Sequence, residues 1–175
     1  MKFIPGNPEG AALASAVGPG QVWIIYPFRK DSSGKQGTIE LFYDLGPNAA
    51  NKVALFSDIT KDGKYAYFTA TTGNHVAQLD ISDLNHPKRL DDPNSVHPTI
   101  GPHFIKITPD QKHVVIIDYF LQTGEIGIVN TPADFKIHYA DINNDGSLHF
   151  NRTISFSEQF PERKLALICA TCTNL

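Results

Sequence analysis

The residues of this chain that could do chemistry are seven histidines, one Cys-x-x-Cys pair and one run of alternating side-chain oxygens. The histidines are His75, His86, His97, His103, His113, His138 and His149. Neutral imidazole binds transition metals well, so histidines brought together by the fold could hold one. Cys169-Ala170-Thr171-Cys172 has redox or metal spacing. With no second pair and no βαβ context, the motif is weak and reads first as two ordinary thiols near the C-terminus. Asp141-Ile142-Asn143-Asn144-Asp145-Gly146 matches the first half of a calcium loop, but the position that should carry a bidentate glutamate is Arg152. An Asn-Asp-Gly hairpin turn between two strands accounts for the same residues. No serine or cysteine lies in a nucleophile elbow, and there is no glycine-rich phosphate loop.

The elements that must position these groups are strands. Val22 to Tyr26, Thr38 to Tyr43, Tyr65 to Thr69 and His113 to Phe120 are short, rich in β-branched and aromatic residues, and bounded by Gly, Pro, Asn or Asp. Ser57-Asp58-Ile59-Thr60-Lys61-Asp62-Gly63-Lys64 recurs 48 residues later as Ile105-Lys106-Ile107-Thr108-Pro109-Asp110-Gln111-Lys112, each followed by an apolar run. A strand–turn–strand repeat of that period marks a β-propeller, whose four-stranded blades bury their faces only against neighbours. The spacing predicts an all-β chain, an incomplete β-propeller of about three and a half blades over residues 1–161. The blades fall near 10–45 (strands 11–16, 20–27, 37–44), 53–91 (54–60, 64–70, 75–81, 87–91) and 101–156 (103–108, 112–120, 135–142, 147–156). Ala11 to Val17 reads as a small-residue inner strand. Residues 162–175 diverge from the pattern.

In such a fold the first strand of each blade lines the central channel. Gly101-Pro102-His103 lies at the start of one, and the repeat places Leu55 at the same position in the preceding blade. His103 is therefore the histidine placed to meet ligands from other blades at the axis; the competing reading is a hydrogen bond within the blade junction. From spacing alone His75, at the start of a third strand, reads as a surface residue, His113 as solvated, and His138 and His149 as exposed or half-buried.

Composition narrows the function classes. The chain is 41% hydrophobic and 19% charged, as a folded globular domain is. A net charge of −3 with no long Lys/Arg cluster disfavours nucleic acid or an anionic membrane as partner. No apolar run approaches the ~18–20 residues of a membrane span. Pro5 and Pro8 interrupt any secretory signal, and two cysteines among 175 residues suit a reducing cytoplasmic compartment. Open blade edges would favour self-association. A ring closed by two copies would need matching half-blades at both ends, which the tail does not supply.

Three segments resemble the selenium-binding protein/methanethiol oxidase family, in its C-terminal half. They are Asn7-Pro8-Glu9-Gly10-Ala11-Ala12-Leu13 through Leu45-Gly46-Pro47; Ser57-Asp58-Ile59 with Tyr67-Phe68 and Gln78-Leu79-Asp80-Ile81-Ser82-Asp83; and Gly101-Pro102-His103-Phe104-Ile105 with Asp118-Tyr119-Phe120 and Lys136-Ile137-His138. The resemblance implies a seven-bladed propeller of which this chain is a part. It implies copper-dependent oxidation of a small thiol, methanethiol, by O₂, and His103 as a metal ligand. Gly73 occupies a slot that is often histidine in that family; His75 lies two residues on, on the same strand face, and is the second implied ligand. A non-catalytic, propeller-derived binding module that has lost its metal is the alternative.

Overall fold

The computed structural model describes residues 1–16, 20–45, 54–118 and 135–160. Among them the chain forms three four-stranded antiparallel meanders, each strand pairing with the one before it. The first sheet contains β1 (Lys2–Phe3), β2 (Ala12–Ala16), β3 (Gln21–Lys30) and β4 (Gln36–Asp44). The second contains β5 (Ala54–Ile59), β6 (Tyr65–Ala70), β7 (His75–Asp80) and β8 (Lys88–Arg89). The third contains β9 (Pro102–Ile107), β10 (His113–Asp118), β11 (Lys136–Ile142) and β12 (Leu148–Ser155), followed by the short helix α1 (Phe156–Gln159). No helix of the described residues is long and apolar enough to cross a membrane. The divergent stretch 162–175, with Cys169 and Cys172, lies outside the described residues, as do Tyr119 and Phe120.

The 48-residue repeat is a repeat of hydrogen bonds. The Thr60 and Thr108 N–H groups donate to the carbonyls of Tyr65 and His113, both at 2.9 Å. Each threonine hydroxyl donates to the aspartate two residues on, Asp62 or Asp110, at 2.6 Å, and that carboxylate accepts the N–H of Lys64 or Lys112 at 3.1 Å. Each turn needs one left-handed residue, supplied by Gly63 (φ 73°) in the first and Gln111 (φ 61°) in the second. The N-terminal hairpin closes in the same way, with Ile4 N–H on the Ala11 carbonyl at 2.8 Å.

That hairpin corrects the first blade. Lys2 and Phe3 pair with Leu13 and Ala12, so Ala12–Ala16 is the second strand and β1 is the inner one. The first sheet runs from residue 2 to 44 and is a whole four-stranded unit; a two-residue strand is too short to show alternation in sequence.

Period-2 alternation then divides the core. On β6, Ala66 and Phe68 point toward the first sheet and pack with Leu13, Val22, Ile24 and Tyr26. Tyr67, between them, points the other way and packs with Ile105, Ile107, Val114 and Ile116 of the third sheet. The middle sheet is thus buried on both faces, and each large side chain so buried contributes roughly 1.5–3 kcal/mol. The Asn143–Ser147 turn between β11 and β12 is the expected hairpin: Gly146 N–H donates to the Asn143 carbonyl at 2.9 Å, and Asp145 accepts both the N–H and the hydroxyl of Ser147.

Candidate functional site

His103 is the second residue of β9, and the second sheet fixes the backbone around it. The Thr69 and Thr71 hydroxyls donate to the carbonyls of His103 (3.0 Å) and Pro102 (2.7 Å), and Gly101 N–H donates to Asn74 Oδ1 at 2.7 Å. The half-buried imidazole meets the Phe56 ring edge-on at a centroid distance of 4.8 Å. Burial holds its pKa below the ordinary histidine value, so near neutral pH it is the uncharged, metal-competent form.

His75 occupies a different environment. It opens β7 and is 5% exposed, not the surface residue that strand position suggests. Its Nε2 lies 2.7 Å from Asp91 Oδ2, and its ring stacks on His97 at 3.8 Å. Asp91 Oδ2 also accepts two hydrogen bonds from Arg89, at 3.0 and 2.9 Å, while Oδ1 accepts Gln78 N–H at 2.7 Å. Burial would raise the Asp91 carboxyl, but the bonds from His75, Arg89 and the Gln78 amide outweigh it and hold the carboxyl below its usual range. The stretch from Asp91 to Pro102, an ordinary connection in sequence, therefore carries the carboxylate and the imidazole that enclose His75.

His97 Nδ1 accepts Val76 N–H at 3.1 Å, which places the ring proton on Nε2, facing Ser95 Oγ at 3.2 Å. In that tautomer His97 cannot take a proton from Ser95, so the pair is not a nucleophile and its base. Burial, with His75 and Arg89 adding and Asp91 opposing, pushes the His97 pKa from 6.5 down to about 4. The unfolded chain then holds more protons on this ring between those values, so stability should fall as pH drops through that window. Asp91 adds its own loss only as pH falls further, through its lowered pKa. Urea midpoints measured from pH 7 to 4 should fall more steeply for the wild type than for His97→Gln; parallel curves would show that His97 does not carry the dependence.

His138 is fully buried rather than exposed or half-buried. Its Nε2 lies 2.8 Å from Asp118 Oδ2 and its Nδ1 2.9 Å from Thr153 Oγ1, which ties β10, β11 and β12 together. His113 is held at 2.7 Å by Asp141 rather than simply solvated, and His149 is exposed. Among the described residues no group of three or more His, Cys, Asp or Glu side chains is arranged to hold a metal.

A second constellation was missed in the sequence. Lys2, Asp58 and Lys106 occupy corresponding positions on β1, β5 and β9, two residues before Ile4, Thr60 and Thr108, which make the matching hairpin bonds. Asp58 Oδ1 lies 3.3 Å from Lys2 Nζ, and Oδ2 lies 3.1 Å from Lys106 Nζ and 3.0 Å from the Ile107 amide, which donates to it. One carboxylate thus links all three sheets along the inner strands. The available signal was the opposite charge of Asp58 and Lys106 at equivalent repeat positions.

No protein-family model matches the sequence, and no curated protein matches it significantly. Solved structures do match. A hypothetical selenium-binding protein from Sulfolobus tokodaii aligns at 18% identity and a TM-score of 0.54, over 78% of this chain and 35% of that one. The periplasmic gluconolactonase of Pseudomonas aeruginosa aligns at 12% identity and 0.59, over 85% and 39%. The Cps50 β-propeller domain of Myceliophteria thermophila aligns at 10% identity and 0.54, over 87% and 43%. At these identities the likeness shows the fold, that of an incomplete β-propeller. The chain spans less than half the length of each of these structures.

Proposed function

We propose that the chain supplies three consecutive blades to a cytoplasmic, copper-dependent thiol oxidase of the selenium-binding protein type. The observation that carries this reading is His103: an uncharged imidazole at the start of an inner strand, held in place by Thr69, Thr71 and Asn74. His75, the second ligand the resemblance implies, is held by Asp91 and stacked on His97 rather than set beside His103. Its Nε2 is directed at Asp91, the carboxylate–histidine arrangement that also orients metal-binding imidazoles. The remaining ligands would come from outside the described residues.

The reaction is CH₃SH + O₂ + H₂O → CH₂O + H₂S + H₂O₂, in which the thiol carbon is oxidised by two electrons and O₂ reduced by two. Copper, when bound, would carry those electrons between thiol and O₂. The chain's own contribution is to present His103 uncharged and to fix its backbone against the neighbouring sheet. A second reading, a binding module without metal, draws on His75 and His97, whose hydrogen bonds and stacking also account for them as structural residues.

Elemental analysis of the protein isolated from its source should find stoichiometric copper, and His103→Ala should lower both copper content and thiol-dependent peroxide release at least tenfold. Absence of copper from the native protein, or full activity in His103→Ala, would favour the binding module.

A further inference from the structure

The inner turns of the second and third sheets stand side by side at the end of the strands away from His103, and a hollow of about 500 Å³ opens between them. That volume is in the range of small-molecule sites. The 60–65 turn contributes Lys61 and Tyr65; the third sheet contributes Lys112 on its 108–113 turn, with Ile142, Asn143 and Asn144 at the β11–β12 hairpin. Hydrogen bonds between the turns fix these walls. Lys61 N–H donates to Gln111 Oε1 at 2.6 Å, and Ile142 N–H donates to the Lys112 carbonyl at 2.8 Å. The Tyr65 and Tyr67 hydroxyls donate to the carbonyls of Asn144 (3.4 Å) and Gly146 (2.9 Å). The hollow is therefore part of the joint between two sheets, and these clasps lie within the described residues.

The charges around it are unevenly matched. Asp62 accepts the Thr60 hydroxyl and the Lys64 amide and faces the Lys64 ammonium at 3.9 Å. Asp110 is engaged by the Thr108 hydroxyl and the Lys112 amide, and Asp145 by the amide and hydroxyl of Ser147. The Gln111 side chain is engaged at both ends, by the Lys61 amide and the Thr108 carbonyl. Among the described residues, the ammonium groups of Lys61 and Lys112 make no ion pair and no hydrogen bond. The two charges left without a partner at the hollow are thus both positive, one from each sheet.

We propose that this hollow binds a small organic dianion, a dicarboxylate or a phosphate monoester, with Lys61 and Lys112 on its oxyanions and its carbon body on Tyr65 and Ile142. Each ammonium is a point charge with three donors, able to take an oxyanion from a range of directions. Two of them on separate turns favour two negative charges over one. The proposal does not rest on the thiol oxidase reading, since it uses neither His103 nor His75.

Isothermal titration calorimetry of the purified protein at low salt, with glutarate and with glycerol phosphate, should show one site with a submillimolar Kd for at least one of them. Tighter binding of glutarate would make the ligand a dicarboxylate; tighter binding of glycerol phosphate would make it a phosphate monoester. Glutaramide and glycerol, which lack the charges, should not bind. Lys61→Ala and Lys112→Ala should each weaken binding about tenfold or more, and affinity should fall as ionic strength rises. Lys35→Ala, the same loss of charge on the β3–β4 turn, should leave the affinity within about twofold. All three side chains are exposed, so urea midpoints should stay at the wild-type value and report intact folding. Binding of neither dianion, equal binding of the uncharged analogues, or unchanged affinity in Lys61→Ala and Lys112→Ala would overturn the proposal. So would an equal loss in Lys35→Ala.

Discussion

Gly146→Ala should lower the unfolding free energy by roughly 3 kcal/mol, the sum of left-handed backbone strain and overpacking against an aromatic ring. Gly146 has φ +84°, and a Cβ there would overlap the ring of Tyr65 in the neighbouring sheet. Its carbonyl also accepts the buried Tyr67 hydroxyl at 2.9 Å, so the turn cannot retreat without breaking that bond. Gly34 is the control. Its φ is +82°, but nothing lies within 4 Å of the corresponding Cβ. Gly34→Ala should therefore cost only the backbone strain, about 1–2 kcal/mol. Urea unfolding of both variants separates the two contributions. Equal losses would mean that the turn does not dock against Tyr65 as described.

Asp58→Ala should cost about 3 kcal/mol, because it strands a buried amide as well as removing a charge. The Ile107 N–H loses its acceptor, and the first and third sheets lose their shared link to the second. Asp58→Asn keeps an oxygen for that amide and should cost about half as much. Lys106→Ala should cost under about 1 kcal/mol, since its side chain is more than half exposed and the pair is screened by water. A loss in Lys106→Ala as large as in Asp58→Ala would place the energy in the ion pair rather than in the amide bond.

Much of this fold was legible because strand alternation and turn chemistry are local. The Thr-x-Asp turns at 60–65 and 108–113 repeat the same hydrogen bonds, with the threonine-to-aspartate bond at 2.6 Å in both, and the sequence similarity between them is the direct trace of that repetition. The Asn143–Ser147 turn was legible for the same reason. β1 was not, because two residues carry no period, and what defines them is pairing with Ala12 and Leu13.

The candidate site divides the same way. His103 could be placed at the start of an inner strand by counting from the repeat. Neither the burial of His75 nor that of His138 could be read so, since each depends on a carboxylate elsewhere in the chain: Asp91, at a distance of 16 residues, and Asp118, at 20.

The sequence by itself determined the strands, their turns and the repeat that makes the architecture a propeller, because a period of two and a Thr-x-Asp turn are written in neighbouring residues. Tertiary structure alone decided which carboxylate meets which histidine and that Asp58 ties three sheets together. Those facts arise from packing one repeat on the next, where the relevant distances run across the sheets rather than along the chain.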